Sequence, residues 1–217
     1  MKNIFSPKLW YRCTTLNSFL TIALSLFTCL VTTAQINWPK GPMLANATVS
    51  PQGELIITAS KTSSKHDFEF LQGKWLMKHK KLKTRLQNNN EWIDFESTDE
   101  NFGMMLDGLG NTDIYKATLE GKPFEGFTLR LFNPQTRLWS LYWVASNTGV
   151  LDPPVVGSFE GNIGRFYCKD VYKGTPVIVM FVWDKTNPDE PVWYQAFSPD
   201  NGKTWEWNWT NTSYRVK

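Results

Sequence analysis

Histidine and cysteine are scarce in this chain. It holds two of the first and three of the second in 217 residues. His66 and His79 lie far apart for metal ligands, and His79 sits among lysines. A structural zinc site needs four ligands and a catalytic one three, so this pair makes no metal set. Cys13 and Cys29 fall in the first 34 residues, which read as an export signal, leaving Cys168 alone in the remaining chain. That excludes an intrachain disulfide. Cys168 is expected to be a small buried thiol, because no histidine follows it to activate a nucleophile. Also missing are a Gly-x-Ser-x-Gly elbow, a Cys–His pairing and a phosphate loop. Gly161-Asn162-Ile163-Gly164 reads as a hairpin turn. Nothing calls for a cofactor. No helical pattern is long enough for a parallel crossover, so any sheet must be antiparallel.

The surplus of basic charge is also absent where it would matter. The whole chain has 23 basic and 20 acidic residues and a pI near 8.7. Lys2, Lys8 and Arg12 lie in the first 34 residues, with no acidic residue there, so the rest is near neutral. That gives no reason to expect a nucleic-acid partner. The run Lys78, His79, Lys80, Lys81, Lys83 and Arg85 is expected on an exposed edge strand.

The start of the chain has the parts of a signal peptide. A positive beginning precedes the uncharged run Ser18 to Val31 and the small residues Thr32-Thr33-Ala34, with Gln35 as the mature start. The apolar run is too short to span a bilayer comfortably, so no stable membrane span is expected after cleavage. Cys29 follows Leu26-Phe27-Thr28, a poor lipoprotein box, so lipid anchoring is disfavoured. Export to the periplasm or beyond is the expected location.

What is abundant is aromatic residue: 11 Trp, 14 Phe and 7 Tyr. The chain is organised around Phe127 to Val144, FTLRLFNPQTRLWSLYWV. Two strand-forming runs flank Asn133-Pro134-Gln135-Thr136, where Asn-Pro starts a tight turn. One arm puts Phe127, Leu129 and Leu131 on one face and Thr128, Arg130 and Phe132 on the other. The second separates Trp139, Leu141 and Trp143 from Ser140, Tyr142 and Val144. Such arms need other strands to cover them. Eleven strand-like runs follow from Lys74 to Arg215, divided by Gly, Asn, Asp and Pro signals. They include 91–98 and 101–107 as separate strands. The fold class is therefore all-β: a single antiparallel up-and-down β-barrel of about nine to eleven strands. A short helical turn with Phe68 and Leu71 precedes it. Residues 1–34 are the signal peptide. Residues 35–64 are a linker or loosely ordered N-terminal arm with at most one short strand at Leu55-Ile56-Ile57. Residues 65–217 are the barrel domain.

Near the C-terminus, Ser198-Pro199-Asp200-Asn201-Gly202-Lys203-Thr204-Trp205 resembles the Asp-box hairpin of sialidases, which implies a structural role. Trp205, Trp207 and Trp209 then alternate with Glu206, Asn208 and Thr210. At the other end, Phe70-Leu71-Gln72-Gly73-Lys74-Trp75 resembles the first strand of lipocalins and the wider calycin group. That resemblance implies an Arg packed on the Trp, and Arg215 stands where it is expected. The segments HDFEFLQGKW, LDGLGN, LRLFNPQTRLWSLYWV, LDPPVVGSFEG, FYCKD and WYQAFSPDNGKTWEWNW resemble a bacterial calycin-like family of unknown function, domain-of-unknown-function family 1579. The resemblance implies a barrel and supplies no reaction. The C-terminal histidine that haem-binding small barrels such as nitrobindin use is absent.

Three functions are compatible with these features. The first is binding of a small, largely apolar molecule in a barrel cavity, with Arg130, Trp139, Tyr142, Trp143, Gln195, Trp207 and Asn208 as ligand-binding residues. Gly73, Trp75, Asp200, Gly202, Trp205 and Arg215 are structural. An inward Arg130 would need a carboxylate, from the protein or a ligand; an outward one would leave the indoles simply filling a core. The second is a cavity isomerase, cyclase or hydrolase using Asp170, Glu206 or Tyr142 as acid–base groups. The third is a partner-binding module with a filled core. Aromatic outer faces leave room for a homodimer in each case. Ala145 to Pro154 is a candidate lid.

Overall fold

The computed structural model describes residues 36–217. The signal read in residues 1–34 lies outside the described residues. The strands are β1 (Ala47–Val49), β2 (Leu55–Ile57), β3 (Gly73–Leu82), β4 (Trp92–Met105), β5 (Gly110–Leu119) and β6 (Lys122–Asn133), then β7 (Leu138–Ala145), β8 (Val155–Glu160), β9 (Ile163–Tyr172), β10 (Thr175–Asp184), β11 (Val192–Ser198) and β12 (Glu206–Arg215). A single 3-10 turn, Glu69–Leu71, precedes β3.

From β3 onward each strand pairs antiparallel with its successor, and β12 returns to β3. The result is a closed ten-stranded up-and-down barrel, the expected fold class. Local chemistry makes its turns. Glu120-Gly121 and Lys173-Gly174 are two-residue connections with positive φ at both positions, the geometry that matches strand twist. In the organising hairpin, Asn133 Oδ1 accepts the amides of Gln135 at 2.9 Å and Thr136 at 3.3 Å. The runs 91–98 and 101–107 join into one strand. A bulge between Asn101 and Met104, with Gly103 at φ +79°, lets β4 bend instead of stopping.

Closure is fastened where the first and last strands meet. Trp75 and Arg215 are cross-strand partners, and the Arg215 guanidinium lies 4.2 Å from the Trp75 ring centroid. Arg215 also donates to the carbonyls of Gln72 at 2.8 Å and Phe70 at 3.1 Å, while the Trp75 indole donates to Leu71 O at 2.6 Å. Gly73 has φ +114°, and a side chain there would meet Arg215. The last hairpin is held as its box suggests. Asp200 accepts from the Thr204 amide and hydroxyl and from the Ser198 hydroxyl. The Trp205 indole donates to Gly202 O at 3.1 Å.

Two expectations change. A closed barrel has no edge strand, so the basic run of β3 is paired on both sides. Lys78 and Lys80 point out to Glu96 and Asp94, whereas His79 is buried. Residues 37–64 are also seated on the barrel. β1 and β2 form a hairpin, and Met43, Leu44, Ala47, Leu55 and Ile57 cover the outward side chains Tyr167, Met180, Val182, Tyr194 and Ala196. Trp38 stacks on Trp207 at 5.2 Å, and the Tyr167 hydroxyl donates to Met43 O at 2.8 Å.

Candidate functional site: the barrel interior

Cross-strand partners share a face, so the registers define which side chains point in. One end of the barrel is sealed. Phe68, brought in by the 3-10 turn, is fully buried against Trp139, Phe159, Phe166 and Trp183. Its edge-to-face contacts, 4.9 Å to Trp139 and 5.1 Å to Phe159, are favourable aromatic geometries. This cluster is a floor.

Polar side chains lie against the floor. Arg130 of β6 is buried, its guanidinium 5.3 Å from the Phe68 ring. Its Nη1 donates to the Asp113 carboxylate and, at 3.1 Å, to Asn111 Oδ1. The carboxylate an inward Arg130 requires thus comes from β5. Its Nε is sealed from solvent without a partner. Among the described residues Nη2 makes no hydrogen bond either, and it is not one of the sealed atoms. Asp99 of β4 faces the same space. Burial, reinforced by the Asp113 charge, holds its carboxyl well above the ordinary value, and Arg130 only partly opposes this. Burial and the Asp113 charge thus favour the protonated form of Asp99 beside the Arg130–Asp113 pair.

A second chain of contacts runs up the wall. The Trp209 indole donates to His79 Nδ1 at 3.1 Å. An indole nitrogen is only a donor, so His79 carries its proton on Nε2 and donates to Ser97 Oγ at 2.7 Å. Burial, then the Lys81 charge, pushes His79 down to about 3, and the ring stays neutral, stacked on Phe95 at 4.4 Å. Burial also raises Tyr115, despite its bond with Ser97. Lys81 sits 4.3 Å over the Trp209 ring and is pushed down to about 8 by burial and by Arg85.

Above the floor the inward side chains are incompletely covered. Thr128, Trp143, Cys168, Phe181, Trp193 and Trp209 are all half-buried although they point into the barrel. Trp143 lies flat across Gly126, where a β-carbon would stand 1.9 Å from the indole. Phe181, Trp193 and Trp209 form a run of edge-to-face contacts. Burial pushes the Cys168 thiol up to about 12, so it is no ready nucleophile. The opposite end is crossed by the β3–β4 connection. There Arg85 lies over Tyr172, Phe197 and Trp209, and the Leu86 amide donates to the Glu206 carboxylate.

Of the expected ligand-binding residues, Arg130, Trp143 and Gln195 face the interior. Trp139 also points in, but it belongs to the floor and donates to Ser64 O. Asn208 is fully buried and accepts from Gln195 Nε2 at 2.8 Å, so these two satisfy each other at the β11–β12 bulge. Tyr142 and Trp207 correct the expectation. Tyr142 pairs with Leu129 on the outer face, and Trp207 lies under Trp38. Of the proposed acid–base groups, Tyr142 points out and Glu206 holds a loop amide, while Asp170 shares the inward face of Cys168 but is exposed. Asp99, Asp113, Asn111, His79 and Phe68 were missed. For Asn111 and Asp113 the signal was a polar side chain at every second residue of β5, Asn111-x-Asp113-x-Tyr115, opposite Arg130. Two grooves of about 230 and 360 Å³ along β3–β5 are open to solvent; the first is lined by Lys74, Trp75, Asp99 and Ile114 among others, the second by Leu76, Ser97 and Ala117 among others.

Floor, polar base and aromatic wall define a closed up-and-down barrel with a differentiated inner surface. No protein-family model matches the chain, and no curated protein matches it. Among solved structures it is similar to Rv2717c from M. tuberculosis, at 12% identity over 68% of this chain and 94% of that one, with a TM-score of 0.46. At that level the likeness says nothing of ligand or activity.

Proposed function

We propose that the protein is an exported barrel that binds a small, largely apolar molecule in its interior, as a divergent calycin-like domain related to family 1579. The observation that supports this is the incomplete cover of inward Trp143, Phe181, Trp193 and Trp209 above a floor that is fully buried. A filled-core module would bury its central aromatics as completely as its floor. Aromatic walls with few polar groups suit a ligand whose body is apolar and whose orientation is fixed at one end. Entry is from the end away from Phe68, between the β3–β4 connection and the loop 146–154.

Native mass spectrometry of the purified protein, with tryptophan quenching against a panel of apolar ligands, tests this. Retained or added small molecules with saturable quenching are expected. No bound species and no quenching would favour the partner-binding module. The enzymatic alternative now rests on Asp99 beside Asp113 and Arg130, because a carboxyl raised by burial is the kind of group proton transfer uses.

A further inference from the structure

Building on that apolar-ligand reading, we infer that the ligand carries a neutral carbonyl-type oxygen that docks on Nη2 of Arg130, at the base of the interior.

The inference rests on how the guanidinium is used. Arg130 offers five N–H donors in a rigid fork. Nη1 is taken by Asp113 and Asn111. The opposite side makes no hydrogen bond among the described residues, and of its two nitrogens only Nε is sealed. Nη2 therefore keeps a donor turned to the interior. Other donors on the same inner surface are also unspent: the indole N–H groups of inward Trp143 and Trp193 make no hydrogen bond among the described residues. An occupant with an oxygen acceptor takes the arm of Arg130 that Asp113 and Asn111 leave free.

The charge of that oxygen follows from its neighbours. Asp113 already balances Arg130 as a buried pair. A second carboxylate would leave the base with net negative charge in an apolar enclosure, at a desolvation penalty the shared guanidinium does not repay. Asp99 points the same way: burial and the Asp113 charge hold the carboxyl already in this space well above its ordinary value. A ketone, ester or amide oxygen takes the Nη2 donor without adding charge.

The test uses three ligands of one skeleton: 2-acetylnaphthalene, 2-naphthoate and 2-ethylnaphthalene, titrated at pH 8 against wild type and Arg130→Lys. Lysine keeps the charge opposite Asp113 but lacks the second arm. In wild type the ketone should bind about tenfold tighter than the hydrocarbon, the gain of one hydrogen bond to a charged donor. Its carbonyl stretch should move to lower frequency on binding. Both effects should vanish in Arg130→Lys, while the hydrocarbon binds both proteins alike. Equal affinity of ketone and hydrocarbon in wild type, or an unshifted stretch, would overturn the inference and leave the apolar cavity standing. Tighter binding of the naphthoate would overturn the choice of a neutral group. Failure of all three would remove the cavity reading and this inference with it. Should Arg130→Lys not fold, the wild-type ranking and carbonyl shift decide alone.

Discussion

Replacing Asp99 with asparagine should remove a pH dependence built into the barrel. Asp99 points inward beside Asp113, and its carboxyl is held well above the ordinary range by burial and by that neighbouring charge. In the unfolded chain the same group titrates near about 3.9. From there up to its raised folded value, the folded protein binds more protons than the unfolded one. The stability Asp99 contributes is therefore complete below pH about 3.9 and is lost as pH rises through the folded value. A single group changes stability by at most about 1.4 kcal/mol per pH unit. For a chain of this size that is a Tm change of about 3–5 °C per pH unit. The side-chain amide of the Asp99→Asn variant would keep a donor toward Asp113 and would not titrate. Thermal unfolding of wild type and Asp99→Asn at pH 4, 5, 6 and 7 should give equal Tm values near pH 4 and a growing advantage for the variant above it. Other carboxylates titrate in both proteins and cancel in the difference. Parallel curves would refute a raised Asp99 carboxyl, as would a variant that falls behind with rising pH.

Four further outcomes follow from the contacts. Arg215→Ala loses the contact on Trp75 and two carbonyl bonds. About 2–3 kcal/mol should go, read as a lower urea midpoint, and an unchanged midpoint would deny the closure its fastening. Phe68→Ala opens the floor and should cost about 3–5 kcal/mol in the same assay. Asp200 is held at about 2, chiefly by the Thr204 hydroxyl, so its contribution is present above pH about 3.9 and lost as pH falls towards 2. Asp200→Asn should lack that acid-side loss in denaturation curves taken between pH 4 and 2. Cys168 should alkylate slowly with iodoacetamide at pH 8 in the native protein and quickly in guanidinium, since burial keeps its thiol protonated; fast native labelling would place it at the surface.

The closed barrel was legible because it depends on local signals. Gly-Asn-Asp-Pro breaks divide strands, and the Gly73-Lys74-Trp75 start pairs with Arg215 through a contact whose parts are both visible in sequence. The inner surface was not legible, for a physical reason. Strands such as FTLRLF carry apolar residues on both faces, so periodicity does not tell Thr128-Arg130-Phe132 from Phe127-Leu129-Leu131. The polar face turned out to be the inner one, because Arg130 meets Asp113 there. Trp207 misled similarly: its indole is covered, but by Trp38 from the arm rather than by the core. Cover from outside the barrel cannot be read from a strand's own pattern. Asp99 and Asp113 escaped notice because an isolated acid is usually solvated, and only pairing of β4, β5 and β6 brings them beside Arg130.

Xenon-pressurised crystals would test the accessible interior most directly, because xenon settles in apolar space that a protein leaves unfilled. Xenon density between Trp143, Phe181 and Trp193, above Phe68 and inside the ring of strands, is the expected result. An interior without xenon, its indoles packed ring against ring, would contradict it.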